Sequence, residues 1–368
     1  MDNQFRILLV GGGTGGHLFP AIAIGEAIRT KYPNSIVHFI GSKFGIEATV
    51  LPVKSLPHTL LPIRGLQREI DFPSMARNVL LPWRLFNSGR IARKVINQFK
   101  PDVIVGTGGY ASAIPLRIAV KKEIPIILQE QNSYPGITTR HFAKYAKLIC
   151  IAFEAANKYI KNDTIVTGNP IRANINKSTK KESYLVFHLD HKTKTIFLFG
   201  GSQGSAFLNK IMAESILKFE TEKIQIIWQT GSNEYKKYKQ YESDLVKVHP
   251  FIDKMAEAYA LADLIISRAG ALTLSEISAC GKPSILIPFP HSAGDHQIKN
   301  AGAFANAGAA ILLNEKKMSG RDFSRTTTDL LYNENRLSKM SKNAREIGMP
   351  NATDLIVEQI IEVIKTDV

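Results

Sequence analysis

Cysteine is scarce in this chain. Cys150 and Cys280 are the only two among 368 residues, and they lie far apart. That spacing excludes a disulfide framework and a cysteine-rich metal site, and it points to buried thiols in a reducing compartment. Long apolar runs are missing too, since none approaches the roughly 18 residues needed to span a bilayer. The chain enters an apolar strand-like run at once, without a basic segment followed by an apolar one, so no signal peptide is expected. Acidic residues are outnumbered, 32 Asp and Glu against 47 Lys and Arg, giving a net charge of +15. Such a balance favours anionic partners: phosphorylated substrates, nucleic acid or an anionic membrane surface. No nucleic-acid-binding module is recognisable, which sets the second aside. A protein of the cytoplasm, or one held on the inner face of a membrane, is expected. The rest of the composition is ordinary for a globular protein, with 44% hydrophobic and 21% charged residues. The length suggests two domains.

What is present is organised around Gly11-Gly12-Gly13-Thr14-Gly15-Gly16-His17, which follows the apolar run Ile7-Leu8-Leu9-Val10. Strand, glycine turn and a helix over 21–30 are expected here. The glycines let backbone approach a ligand, and a helix N-terminus behind them suits an anion. His17 stands at the mouth of the turn, where an imidazole could act on a substrate; a capping or packing histidine is the plainer alternative. Gly11, Gly13 and Gly16 also satisfy G-x-G-x-x-G, a dinucleotide-binding pattern. That pattern expects an acidic residue at the end of the second strand. The second strand, 36–40, runs into Gly41-Ser42, and Glu47 falls several residues late. A nicotinamide cofactor is therefore disfavoured.

Strand-like and helix-like segments alternate along the whole chain, which argues for parallel sheets with ligands at their carboxyl edges. In the first half, strands are expected at 6–10, 36–40, 103–106, 126–128, 148–151 and 165–167. Their ends carry unusual residues, Gly106-Thr107-Gly108-Gly109-Tyr110 and Glu130-Gln131-Asn132-Ser133. Between them lies a basic segment with Arg64, Arg68, Arg77, Arg84, Arg90, Arg93, Lys94 and Lys100. Interleaved are Val79, Leu80, Leu81, Trp83, Leu85 and Phe86, with Pro82 expected to interrupt any helix. An interfacial membrane contact and an ordinary helix pair packed on the sheet both fit this pattern.

A polar, lysine-rich stretch at 174–194 reads as a linker into a second domain. Strands follow at 195–199, 224–229, 246–248, 264–267 and 284–288. The first opens into Gly200-Gly201-Ser202-Gln203-Gly204-Ser205, a second anion cradle, and a helix over 206–218. After 264–267 a helix is expected to start near Thr273 and Ser275, with Glu276 in its first turn to serve the dipole or accept from a ribose diol. The polar loop His291-Ser292-Ala293-Gly294-Asp295-His296-Gln297 comes next, and an amphipathic helix over 351–365 closes the chain.

These glycine turns, with Gly168-Asn169-Pro170-Ile171-Arg172 and Gly270-Ala271-Leu272-Thr273-Leu274-Ser275-Glu276, occur in an order and spacing that resembles the MurG family. These are bacterial peptidoglycan N-acetylglucosaminyltransferases. The resemblance covers nearly the whole chain. It implies an α/β GT-B fold: two Rossmann-like, doubly wound parallel-sheet domains, 1–170 and 171–345, facing across a cleft. A final helix, 346–368, would return to the first. It implies inverting transfer of GlcNAc from UDP-GlcNAc to the C4 hydroxyl of the MurNAc-pentapeptide on undecaprenyl pyrophosphate, lipid I, giving lipid II and UDP. Carried over by residue, Thr14, Gly15 and Gly16 lie against donor diphosphate and sugar, and Asn132 on the sugar. Arg172 and Ser202, with Gln203 and Gly204 in the same turn, hold the diphosphate. Ile252 holds uracil through its backbone, Ala271, Leu272, Thr273, Leu274 and Ser275 line the nucleotide, and Glu276 takes the ribose hydroxyls. Gln297, with His296 beside it, contacts the donor sugar; the loop before it is one residue longer than the family pattern.

The acceptor side would use the first glycine turn, Tyr110 and Glu130. His17 is the expected base and Glu130 its rival, because inversion by single displacement needs one group to take the acceptor proton. The resemblance implies membrane attachment at the cytoplasmic face, for which Arg77 to Lys94 is the candidate surface, and leaves room for partners in cell-wall synthesis. A UDP-GlcNAc 2-epimerase and a non-catalytic nucleotide-sugar sensor are the alternatives. Neither a cofactor nor a metal is expected, since the chain has no Asp-x-Asp to clamp a diphosphate-bound metal. Full activity in excess chelator is the expected outcome; loss of activity there would overturn the metal-free expectation.

Overall fold

The structure is a computed structural model that describes residues 4–65 and 81–367, the side chains at 293 and 367 excepted. Arg68, Arg77, Val79 and Leu80 lie outside the described residues. The chain divides into two compact units, Met1–Ile171 with Asn351–Val368, and Arg172–Pro350.

In the first unit the strands are β1 (Arg6–Gly11), β2 (Ile36–Ser42), β3 (His58–Leu61), β4 (Val103–Gly108), β5 (Ile126–Glu130), β6 (Leu148–Ile151) and β7 (Thr164–Val166). They form one sheet in the order β3-β2-β1-β4-β5-β6-β7, with every neighbouring pair parallel. Side chains alternate across it, as the period of two requires. Ile7 and Leu9 join a core on one face, Leu8 and Val10 a core on the other. Both faces are covered, which is why β1 reads as an unbroken apolar run. The closing helix Ala352–Asp367 contributes Ile356, Val357, Ile360, Ile361 and Ile364 to the first of these cores.

The strand order reverses between β1 and β4, and ligand crevices open at such switch points. Register sharpens the point: Val10 pairs with Gly106, then the register shifts so that Gly11 pairs with Gly108. The two glycine turns of this unit are thereby set side by side.

The second unit holds β8 (Thr195–Phe199), β9 (Gln225–Gln229), β10 (Val246–His249), β11 (Leu264–Ser267), β12 (Ser284–Leu286) and β13 (Ala310–Leu312). Its sheet runs β10-β9-β8-β11-β12-β13, again parallel throughout. Its switch point lies between β8 and β11, the strands that feed Gly200–Ser205 and Arg268–Glu276.

Several expectations need correcting. The first helix spans Gly15–Lys31 and so begins six residues early. Gly15, Gly16 and His17 form its first turn behind an extended Thr14, and Pro20 lies within it. Pro82 does not interrupt the helix Leu81–Phe99, because it occupies the first turn, where no backbone donor is needed. Segment 174–194 is not a linker: a helix runs over Lys180–Phe187, started by a capping box between Thr179 and Glu182. Ser183 and Phe187 are buried, and Lys180 pairs with Asp263 at 2.8 Å, which ties the helix into the second unit. The edge strands β3 and β13 are not among the strands expected from the sequence. Among the described residues no helix is long and apolar enough to cross a membrane.

Candidate functional site

In the first unit the site is built where β1, β4 and β5 end. His17 sits in the first turn of its helix and is only partly exposed. Its Nδ1 lies 3.0 Å from the carbonyl oxygen of Thr107 and 2.9 Å from Oε1 of Gln131. The Gln131 amide nitrogen donates to the carbonyls of Thr107 (2.8 Å) and Gln129 (3.0 Å), so its oxygen is the end that faces the ring. Both groups at Nδ1 are therefore acceptors. The proton must sit on Nδ1, and Nε2 carries the lone pair. Thr107 Oγ1 donates to the His17 carbonyl at 2.7 Å and ties helix to strand. Gly108 and Gly109 hold φ of +95° and +79°, and a Cβ at Gly108 would stand 2.9 Å from Nδ1. A side chain at Gly108 would displace the imidazole, and one at Gly109 would strike the Gly12 carbonyl.

The glycine turn has a brace that pattern reading missed. Glu47, fully buried, accepts from the Gly13 amide at 2.9 and 3.0 Å and from the Ser42 amide at 2.7 Å. A Cβ at Gly12, Gly41 or Gly45 would collide with its side chain. So the glutamate that falls too late for a ribose instead holds the turn. Tyr110 lies across Gly13 and reaches Ser42 Oγ at 3.4 Å. Burial pushes its hydroxyl above the usual phenol range.

Glu130 is buried at the end of β5. One of its oxygens accepts from the Asn132 amide at 3.0 Å and the other from the Gly136 amide at 3.0 Å. It shapes the loop that carries Asn132. Thr14, Gly15 and Gly16 stand at the helix N-terminus, with Thr14 and Gly16 exposed.

In the second unit Ser205 caps the helix Ala206–Thr221 after the glycine turn. Arg268, nearly buried, donates from Nε to Ser205 Oγ at 3.0 Å. Its Nη1 donates to the carbonyls of Ile287 and Pro288 and to Glu315 at 2.6 Å. A fixed cation thus underpins the turn that holds Ser202, Gln203 and Gly204. Gln229 links the same turn to Ile252: its amide nitrogen donates to the Gly201 carbonyl (2.9 Å), and its oxygen accepts from the Ile252 amide (2.8 Å).

The helix after β11 spans Ala271–Ala279, capped by Gly270. It starts two residues before Thr273, so Glu276 falls in its second turn, not its first. Ala271 and Leu274 are buried in the fold, while Leu272, Thr273 and Ser275 are partly exposed. Glu276 Oε1 lies 3.6 Å from Nε of Arg172, and Oε2 accepts from Tyr259 at 3.1 Å. Burial raises the Glu276 carboxyl above its ordinary range, against the pull of Arg172 and the Tyr259 hydroxyl. His296 opens the helix His296–Asn306. Gln297 beside it accepts from the Phe289 amide at 2.9 Å, which uses one lone pair of its oxygen. Among the described residues no group of three or more His, Cys, Asp or Glu is placed to hold a metal ion.

Models of the glycosyltransferase family 28 N-terminal and C-terminal domains match residues 7–151 and 195–356. A Christiangramia forsetii protein is 38% identical over the full length of both chains. It is named UDP-N-acetylglucosamine–N-acetylmuramyl-(pentapeptide) pyrophosphoryl-undecaprenol N-acetylglucosamine transferase. The chain belongs to the family 28 glycosyltransferases. The transferase also superposes on Acinetobacter baumannii MurG with a TM-score of 0.75 at 28% identity, covering 97% of this chain and 99% of that one. Its two parallel-sheet units are those of the GT-B fold. A Neisseria meningitidis UDP-GlcNAc 2-epimerase matches at 15% identity and a TM-score of 0.63, over 98% of this chain and 100% of that one, a likeness of fold alone.

Glu47→Gln would turn an amide N–H₂ toward the Gly13 or Ser42 donor. The expected result is a transfer rate lower by about tenfold, with UDP affinity by calorimetry unchanged if UDP binds at the Gly200–Ser205 turn, since Glu47 lies in the other unit. Unaltered transfer would show that the turn needs no brace.

Proposed function

We propose that this transferase moves GlcNAc from UDP-GlcNAc to the C4 hydroxyl of the MurNAc residue in lipid I, yielding lipid II and UDP. The observation that carries the chemistry is the locked tautomer of His17. Inversion proceeds by a single displacement. His17 Nε2 takes the proton from the C4 hydroxyl, the oxygen bonds to the anomeric carbon, and the bond from that carbon to the diphosphate oxygen breaks. The leaving charge goes to UDP. As the imidazole gains its proton, the Thr107 carbonyl and Gln131 amide oxygen stabilise the cation through Nδ1–H. Glu130, Thr14 to Gly16 and Tyr110 shape the acceptor side. Glu130 is less suited to be the base because each of its oxygens already accepts a backbone N–H.

The nucleotide half of the donor belongs to the second unit. Arg172 and the amides of Ser202–Gly204 meet the diphosphate, with the helix dipole behind them. The Ile252 carbonyl accepts from uracil N3–H, Leu272 to Ser275 lie along the nucleotide, and Glu276 accepts from the ribose diol. Asn132, His296 and Gln297 address the GlcNAc.

A polyprenyl acceptor lies in a bilayer, so the first unit must reach one. Trp83, Leu85 and Phe86 are exposed on the helix Leu81–Phe99, with Arg90, Arg93 and Lys94 exposed farther along it. Apolar side chains flanked by cations suit peripheral attachment to the anionic cytoplasmic leaflet.

Transfer of radiolabelled GlcNAc to a short-chain lipid I analogue tests the reaction. Wild type should transfer, and His17→Ala should lose roughly 10²–10⁴-fold in kcat, the range of general base catalysis. Equal rates would move the proton elsewhere, and no transfer by wild type would remove the function. For the membrane, a Trp83→Ser, Phe86→Ser double variant should lose binding to liposomes containing anionic lipid; intact binding would place the contact elsewhere.

A further inference from the structure

Glu276 has a partner that no ligand contact requires. Tyr259, on the helix Met255–Leu261, is completely buried, and its hydroxyl donates to Glu276 Oε2 at 3.1 Å. Its ring stands edge-on to Phe197 (5.7 Å, 79°) and Phe199 (6.1 Å, 87°) of β8. Those two rings stack on each other at 4.5 Å. The phenol is therefore seated by the same strand that ends in the Gly200–Ser205 turn. Burial holds its hydroxyl well above the usual titration range, so it stays a donor.

We infer that Tyr259 is a positioning residue for sugar specificity: it orients the Glu276 carboxylate so that the carboxylate can accept from a ribose cis-diol. This rests on the proposal that Glu276 takes the ribose hydroxyls. The terminal torsion of a glutamate is soft, so a carboxylate with one partner can turn. Two partners restrain this one. Tyr259 takes a lone pair on Oε2, and Arg172, with a side chain 40% exposed, faces Oε1. Each carboxylate oxygen accepts about two hydrogen bonds, so acceptor capacity is left on both. A cis-diol presents two adjacent O–H donors and fits that arrangement. A sugar without them leaves a buried carboxylate under-satisfied, which selects against it. Without the phenol hydroxyl, burial favours the protonated acid, which has one acceptor fewer and adds a donor.

The test compares UDP with 2′,3′-dideoxy-UDP by calorimetry, for wild type, Tyr259→Phe and Glu276→Gln. Phenylalanine keeps the ring and its edge contacts, and a thermal melt checks that the fold is retained. Wild type should prefer UDP by about tenfold or more. Tyr259→Phe should lower that preference at least about threefold, by weakening UDP while dideoxy-UDP stays within about twofold of wild type. Glu276→Gln should lower it as well. If Glu276→Gln lowers the preference and Tyr259→Phe does not, the positioning role is overturned and the ribose contact stands. Equal weakening of both ligands in Tyr259→Phe makes the residue merely structural and also overturns it. A preference unchanged in Glu276→Gln removes the ribose contact itself, and the inference with it.

Discussion

A fixed proton is the constraint on which the first unit depends. Nδ1 of His17 faces two oxygens, the Thr107 carbonyl and the Gln131 amide oxygen. Neither can donate to it as arranged, so Nε2 is the basic nitrogen. Holding those oxygens requires a run of buried amides. Gln131 donates to Thr107 and Gln129, Gln129 Nε2 donates to Asn169 Oδ1 at 3.1 Å, and Asn169 Nδ2 donates back to the Gln131 carbonyl at 3.1 Å. A buried amide left unpaired is costly, so each member restrains the next. The ladder spans the ends of β4 and β5 and the segment after β7, and it sets the ring before any substrate arrives.

The sheet makes this possible. Parallel strands deliver their carboxyl ends to one edge, and the register shift between Val10 and Gly11 brings two glycine turns into contact there. Close approach excludes side chains from those turns, and a turn without side chains must be held from outside. Glu47 does so for Gly13 and Ser42 in the first unit. Arg268 plays the equivalent part under Ser205 in the second, with the opposite charge. Buried ions of this kind need full sets of partners: Glu47 has the backbone N–H groups of Gly13, shared by both its oxygens, and Ser42, and Arg268 has two carbonyls, a hydroxyl and Glu315. Each unit thus pairs a glycine-rich turn with a charged side chain that braces it.

The sequence by itself determined the period of the elements, and so the parallel α/β class and most strands. Apolar runs of four to six residues between glycine turns can be little else when helices alternate with them. It also determined which residues meet at the strand ends, because turns lie next to their strands. The positions of His17, Glu130 and Ser202 at or just beyond the ends of their strands follow from that, whereas Glu276 stands a turn further into its helix. Boundaries that depend on caps and prolines were less so: the helix start at Gly15, Pro82 in a first turn and the capping box at Thr179 all rest on local geometry that propensity blurs. Only the tertiary structure decided what reaches across sequence. Glu47 binds Gly13, Gln131 selects the tautomer of His17, Gln229 joins Gly201 to Ile252, and Tyr259 holds Glu276. Their partners lie between 17 and 114 residues away. No periodicity encodes such pairings, because they arise only when β order and register place one strand end beside another.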